Sequence, residues 1–265
     1  MTSGRTIGFL SDFGTSDWFV GVVKAVILSI NPSATIVDIT HEVPNHDVLA
    51  GAFALYASYA FFPDGSVVIA VVDPGVGSSR DMICVKTQRW IFLAPDNGLL
   101  TLLLDRESKF QIYRITNDRL FLKPVSKTFH ARDILAPVAA HLSLGMDPAE
   151  VGPRTDVFTR ITVPKAEFDG KTLRLRLLWI DSFGNLITSC ENALAREVFS
   201  ILGNQLIVTG KQRRIRVVES YSQGAREELT AVEGSSGFLE IASFCGQASK
   251  LLEAKVGDEL LIEGA

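Results

Sequence analysis

The residues best suited to chemistry lie in the stretch "VVDPGVGSSR", where Asp73 and Arg80 bracket the turn-forming Gly75 and Gly77. Such a loop can cradle a phosphate, turn the chain, or hold an acid and a base in place. A nucleotide phosphate loop needs a third glycine or a lysine and leads into a helix, whereas "MICVKT" follows here with the pattern of a strand. Phosphate binding is disfavoured, and the turn and the chemical pair both remain open.

Polar residues also follow other predicted strands. Asp12 ends the apolar run "TIGFLS", where a carboxylate can accept hydrogen bonds from both hydroxyls of a ribose or cap a turn or helix. The segment "APDNG" follows "WIFL" and has turn chemistry. In an open α/β sheet, ligands bind beyond the carboxyl ends of the strands, so these positions are candidates for a site.

The four histidines are the remaining candidates for acid and base chemistry. His41 and His46 in "HEVPNHD" resemble a zinc-protease motif, but Pro44 and a spacing of five prevent them from sharing a helical face. We interpret that segment as a loop before a helix. His141 falls in a predicted apolar helix, where we interpret it as a packed or surface residue. His130 in "KTFHARD" precedes a predicted helix, and a histidine in that position is more often structural than catalytic unless other reactive side chains lie beside it.

Short β-branched runs alternate with helix-length apolar segments up to about residue 145, which predicts strands with helices packed on them. After residue 165 the pattern changes to strands and turns, with "ENALAREVFSILG" as the helical exception. We therefore predict a Rossmann-like α/β domain with a mostly parallel sheet over residues 1–164 and a smaller, mainly β domain over residues 165–265.

Composition limits the choice of partners. The chain of 265 residues is 47% hydrophobic with a formal charge of -4, and its basic cluster over 211–216 alternates with apolar residues like a solvated strand face. No apolar run approaches a membrane span, and the first residues lack the apolar core of a signal peptide. We expect a cytoplasmic protein that binds neither nucleic acid nor membranes. The cysteines have no metal or disulfide spacing and are predicted to be small buried residues: Cys84, Cys190 and Cys245.

Seven motifs taken together extend over nearly the whole chain: "SDFGTSDWFVGVVKAVI", "DITHEVP", "VVDPGVGSSR", "APDNGLLT", "TFHARDILAPVAA", "IDSFGNLIT" and "SSGFLEIA". In this order the chain resembles the S-adenosylmethionine hydroxide adenosyltransferases, hydrolytic relatives of fluorinase and chlorinase. The resemblance implies an α/β domain followed by a β-barrel-like domain, and a homotrimer with active sites between subunits. It also implies hydrolysis of S-adenosylmethionine to adenosine and L-methionine, with no cofactor or metal.

The resemblance assigns the catalytic set to Asp73, Arg80 and His130. Our hypothesis is that these residues bind and polarise a water in line with the C5'–S bond, with Asp73 or His130 accepting its proton. The leaving thioether is neutral and needs no acid. The resemblance also implies a set of substrate-binding residues: Asp12, Asp181, Phe183, Asn185, Ser235, Ser236 and, more weakly, Glu240.

The chain departs from the family pattern at three positions. Ala131 replaces a common glycine after the catalytic histidine, and Phe244 and Gln247 stand where contacts with the adenine edge are expected. The retained Asp73 and His130 argue against a halogenase. A module that binds adenosine or S-adenosylmethionine without turnover is the alternative, and a metal-dependent hydrolase is disfavoured because no ligand spacing is present.

Overall fold

The computed structural model describes residues 6–265. Residues 1–5, which belong to the segment for which no signal peptide is predicted, lie outside the described part. The chain divides into two compact units, the first ending at Thr162 and the second running Val163–Ala265.

The first unit contains a seven-stranded mixed sheet with the strands β1 Thr6–Ser11, β2 Thr35–Thr40, β3 Val67–Val71, β4 Met82–Thr87, β5 Ile91–Pro95, β6 Phe110–Arg114 and β7 Arg154–Thr155. Their order across the sheet is β2-β1-β3-β5-β4-β6-β7. The β2, β1, β3 and β5 strands are parallel, and β4, β6 and β7 pair antiparallel. The β3 and β5 strands are buried throughout, as expected for a sheet covered on both faces.

Within residues 6–162, four α-helices accompany this sheet: α1 Phe19–Ile30, α2 Val48–Ser58, α3 Thr101–Arg106 and α4 Ala136–Ser143. The α1 helix buries Val20, Val23 and Ile27, which its 3.6-residue period places on one face. Asp47 caps α2 by accepting the Ala50 N–H at 2.9 Å. A π-helical turn over Ala131–Leu135 leads into α4, and 3-10 turns occupy Tyr59–Phe61, Asp118–Leu120 and Pro148–Val151.

The second unit contains the strands β8 Glu167–Phe168, β9 Thr172–Ile180, β10 Leu186–Glu191, β11 Gln205–Val208, β12 Arg213–Val217, β13 Leu229–Glu233, β14 Phe238–Ala242 and β15 Glu259–Gly264. Seven of them form a closed barrel in the order β10-β14-β13-β12-β11-β15-β9, in which β9 pairs back to β10, and β8 pairs with β9 outside the barrel. The apolar interior of the barrel includes Leu175, Leu186, Ile215, Ile241 and Ile262. The helices are α5 Asn192–Leu202 and α6 Ala248–Leu251, and Tyr221–Gln223 forms a 3-10 turn.

The predicted fold class, an α/β domain followed by a barrel-like domain, is confirmed. The structure adds an antiparallel half to the first sheet, and it adds β13 and α6, which the pattern did not indicate. The prediction that all three cysteines are buried is wrong for Cys245, which is exposed at a left-handed φ of 50°. Within residues 6–265, no helix is long and apolar enough to cross a membrane.

Candidate active site

Two predicted acids come together at the carboxyl edge of the parallel strands. The β1 and β3 strands are neighbours, with Ser11 opposite Val71 in the register. Asp12 follows the end of β1, and Asp73 follows the end of β3 after one further residue. Parallel pairing therefore delivers both carboxylates to the same edge, where ligands bind in open α/β sheets.

Asp73 and Arg80 form a bidentate ion pair. Arg80 Nε donates to Asp73 Oδ1 at 2.5 Å, and Arg80 Nη2 donates to Asp73 Oδ2. The Asp73 side chain is 6% exposed and that of Arg80 is 10% exposed, so water screens the pair little. Burial lowers the pKa of the Arg80 guanidinium. Its Nη1 is buried and has no hydrogen-bond partner among residues 6–265.

The loop between the two charges is closed by its own backbone and by a glycine. The Val76 N–H donates to the Asp73 carbonyl at 3.3 Å, and the Ser78 N–H donates to the Gly75 carbonyl at 3.1 Å. Gly77 has a φ of +83°, and a Cβ at this position would lie 2.4 Å from the Lys127 carbonyl oxygen. A glycine is therefore required where this loop contacts the segment before His130.

His130 lies at the head of the π-helical turn, in the same pocket as Asp73. Its Nδ1 is buried without a hydrogen-bond partner in the described chain. Burial lowers the pKa of His130 and the positive charge of Arg80 lowers it further, while Asp133 acts in the opposite direction. The imidazole is therefore neutral at neutral pH and can accept a proton.

The pocket that contains these groups has a volume of about 350 Å³. Asp12 lies in its wall, with Oδ2 accepting the His46 N–H at 2.9 Å. Three aromatic rings pack edge to face beside it, with Phe129 5.9 Å from Phe13 and 5.3 Å from Phe19 between ring centroids. The lining residues are Asp12, Phe13, Asp17, Phe19, Asn45, His46, Val71, Asp73, Val76, Thr128, Phe129, His130 and Ala131.

The second unit holds the remaining predicted residues in two turns of the barrel and on β14. Asp181 accepts the N–H groups of Phe183 at 2.9 Å and Asn185 at 2.8 Å, and its Oδ2 accepts Asn185 Nδ2 at 2.9 Å. Phe183 is 74% exposed and Asn185 is buried. The three residues therefore form one ordered turn with an aromatic ring facing outward.

Glu240, on β14, is a buried carboxylate that Tyr221 holds by donating its O–H to Oε2. Burial raises the pKa of Glu240, the charge of Asp181 raises it further, and the bond from Tyr221 opposes both. A Cβ on Gly234 would lie 2.3 Å from Glu240 Oε1, so this carboxylate fits only because residue 234 is a glycine. In that hairpin Ser235 is exposed, and the Ser236 Oγ is buried without a described partner.

Sequence reasoning missed several residues of the first pocket. Asn45 and His46 line it because "HEVPNHD" follows β2, which is parallel to β1 and ends at the same edge. That topology is the signal that could have identified them. His41 belongs to the packing instead, since it is 4% exposed and its Nδ1 lies 2.7 Å from Ser11 Oγ.

The residues that depart from the family pattern fall in different places. Ala131 is buried and lines the first pocket directly after His130. Phe244 is 36% exposed. Gln247 directly precedes α6 and packs against Gly184, where an added Cβ would lie 2.7 Å from the Gln247 Cβ. Among the described residues, no group of three or more His, Cys, Asp or Glu side chains could hold a metal ion.

Known proteins share both units. The profile described as the SAM hydroxide adenosyltransferase N-terminal domain matches residues 7–152, and the corresponding C-terminal profile matches residues 175–261. Together these matches cover most of the chain, which therefore belongs to the SAM hydroxide adenosyltransferase family.

Individual relatives align over nearly their full length. The chain is 37% identical over 260 residues to a protein of Thermus thermophilus named (R)-S-adenosyl-L-methionine hydrolase, covering 96% of this chain and 97% of the relative. A protein of the same name from Salinispora tropica is 35% identical, with 97% of each chain covered. A fluorinase of an Actinoplanes species is 30% identical over 69% of this chain and 70% of its own.

A crystal structure of an uncharacterized conserved protein from Thermotoga maritima superposes with a TM-score of 0.91. It is 39% identical and covers 97% of this chain and 99% of its own.

Proposed function

We propose that the protein hydrolyses S-adenosyl-L-methionine to adenosine and L-methionine, and that the (R) epimer at sulfur is a substrate. The observation that carries the proposal is a single pocket lined by Asp12, Asp73 and His130, with Arg80 paired to Asp73. Family membership and the names of the full-length relatives support the same reaction.

The reaction is a displacement at carbon C5'. A water oxygen forms a bond to C5' as the C5'–S bond breaks, its electron pair passes to sulfur, and the methionine thioether leaves neutral. One proton of the water passes to the protein and then to solvent. The barrier falls when the water is held in line and its proton has an acceptor.

His130 is the better placed acceptor. Both Asp73 oxygens accept hydrogen bonds from Arg80, whereas His130 Nδ1 has no partner in the described chain. Its lowered pKa keeps the imidazole neutral and able to take a proton. Arg80 stabilises hydroxide character with its positive charge, and Asp73 fixes the guanidinium in place.

Asp12 binds the ribose hydroxyls in this proposal. The His46 N–H donates to Oδ2, and Oδ1 together with the second lone pair of Oδ2 can accept from the sugar. The second unit contributes Asp181, Phe183, Asn185, Ser235, Ser236 and Glu240 to the adenosine and methionine. Asp181 supplies negative charge for the ammonium and Phe183 supplies an aromatic face for the base. No cofactor takes part.

We also propose a cytoplasmic homotrimer with active sites formed between neighbouring subunits. Family resemblance supports the trimer, and the described cysteines, which are all free, fit a reducing compartment. Light scattering after gel filtration should give three times the 28.9 kDa chain mass. A monomer with full activity would refute the shared site, and cell fractionation tests the location.

The test of the reaction uses purified protein with each sulfur epimer. Adenosine and methionine should appear in equal amounts, with and without chelator, and turnover should fall in Asp73→Asn and His130→Ala. Tight binding of either epimer without adenosine would identify a binding module instead. Formation of a 5'-halogenated adenosine in chloride or fluoride would identify a halogenase, which the retained Asp73 and His130 argue against.

A further inference from the structure

Asp133, three residues after His130, is a fully buried carboxylate outside the pocket wall. Its Oδ1 accepts from Arg132 Nε at 2.5 Å, and its Oδ2 accepts from Arg132 Nη2 at 2.9 Å and from the Ser126 N–H at 2.7 Å. A buried carboxylate is costly unless such donors surround it, so Asp133 fixes the start of the segment that ends at His130.

The segment Ser126–His130 is tied at further points. The Thr128 N–H donates to Ser126 Oγ at 3.1 Å, and the Phe129 carbonyl accepts the N–H groups of Arg132 and Asp133, each at 3.2 Å. The Arg132 guanidinium lies 5.1 Å from the centre of the Phe129 ring. These contacts enclose the π-helical turn, a geometry that is rare and frequent at functional sites.

The same segment contacts the loop that carries the ion pair. Gly77 approaches the Lys127 carbonyl so closely that a Cβ would lie 2.4 Å from it. Lys127 follows Ser126, the residue that Asp133 holds. A shift of Ser126 would therefore move the chain that lies against Gly77 and precedes the imidazole.

We propose that Asp133 is a positioning residue that holds Ser126–His130 against the Asp73–Arg80 loop and so fixes the His130 imidazole in the pocket. This role rests on the hydrolysis proposed above. Asp133 touches neither the substrate nor the reacting atoms, and it acts through the backbone of Ser126 and through the turn that begins after His130.

The charge of Asp133 gives the role a second readout. It raises the pKa of His130, against the lowering by burial and by Arg80. Removing the carboxylate should therefore lower the pKa of His130 further. Asp12, Asp17, His46 and Asp73 line the same pocket as His130. The other charged groups near it are Arg80 on the adjacent loop, Asp133 on its own turn, and Arg132, whose guanidinium is paired with Asp133.

Asp133→Asn tests the proposal with little change in shape. An amide nitrogen cannot accept, so the variant loses either the Arg132 Nε bond or the bonds to Oδ2. We expect kcat to fall on the order of tenfold to a hundredfold, as misplaced catalytic groups do, with KM nearly unchanged. The His130 pKa, followed by NMR in the resting protein, should move down.

Two further variants complete the test. Val151→Ala truncates a fully buried core residue of the same unit, and it should lower the melting temperature without changing kcat or the His130 pKa. Arg132→Gln replaces a side chain that is 32% exposed, and it is the variant to be tested if Asp133→Asn does not fold. It should lower kcat severalfold at constant KM, because it loses the bidentate bond to Asp133.

The failure of each proposal is distinguishable. Either wild-type kcat or an unchanged His130 pKa in folded Asp133→Asn overturns the positioning role. If Asp133→Asn does not fold, wild-type kcat in Arg132→Gln overturns it. Wild-type protein that forms no adenosine overturns the hydrolase. In that case the NMR shift alone decides whether Asp133 acts on His130, with wild-type shifts overturning the role.

Discussion

The buried pair of Asp73 and Arg80 allows stability and catalysis to be separated by a double-mutant cycle. Arg80→Met leaves Asp73, 6% exposed, without the partner that occupies both its oxygens. Breaking a buried pair on one side costs about 3–5 kcal/mol of unfolding free energy, because a charge stays buried and unpaired. That is a large part of the 5–15 kcal/mol typical of a domain.

Replacing both members should recover most of that loss. In Asp73→Asn with Arg80→Met no net charge is buried, and the double variant should lie within about 2 kcal/mol of wild type. Activity should behave differently, because the proposed stabilisation of hydroxide needs the guanidinium. We expect turnover to stay lowered on the order of a hundredfold or more in the double variant.

Urea unfolding followed by circular dichroism gives the free energies, and adenosine release gives turnover. Arg80→Lys is the matched control, since it keeps the charge and loses the bidentate geometry. The reasoning is refuted if the single variants are as stable as wild type, or if the double variant turns over substrate at the wild-type rate.

Three further predictions follow from the site. Burial and Arg80 lower the pKa of His130, and the neutral imidazole is the base, so kcat/KM should be constant at neutral pH and fall only as the pH drops below 6.5. His130→Gln should abolish this acidic decline in the pH profile of kcat/KM, and a decline that begins above pH 6.5 in the wild type would contradict the assignment. Gly77→Ala should lower stability and turnover, because both the φ of +83° and the Lys127 carbonyl oppose a Cβ at this position. Gly210→Ala is the control, since Gly210 has the same φ but open space around it. Equal losses of stability in thermal unfolding would refute the close approach of Gly77 to Lys127. Tyr221→Phe removes the O–H bond to Glu240 and should raise KM severalfold with kcat retained, and an unchanged KM in steady-state assays would remove Glu240 from substrate binding.

The sequence predicts the alternation of strands and helices well, because buried strands such as "VVIAV" and amphipathic helices such as α1 have distinct periods. The sequence does not predict the direction of each strand in the sheet. The β4 strand follows a tight loop and pairs antiparallel to β5, and no local pattern of apolar residues distinguishes that pairing from a parallel one.

The candidate residues came from motifs, whereas their support comes from contacts between distant parts of the chain. The approach of Gly77 to Lys127 joins residues fifty positions apart, and Asp133 accepts an N–H from seven residues earlier. Local sequence does not encode such distances. The sequence likewise predicts ordinary helix where the π-helical turn lies, because a single such turn leaves the apolar pattern of "ARDILAPVAA" almost unchanged.

The source of the oxygen in the product tests the central claim most directly. S-adenosyl-L-methionine is incubated with the protein in oxygen-18 water, and the adenosine is analysed by mass spectrometry with fragmentation of the ribose. Displacement by water at C5' predicts one oxygen-18 atom, at the 5'-hydroxyl, and unlabelled methionine. Adenosine without the label, or no adenosine from a protein that binds the substrate, would contradict it.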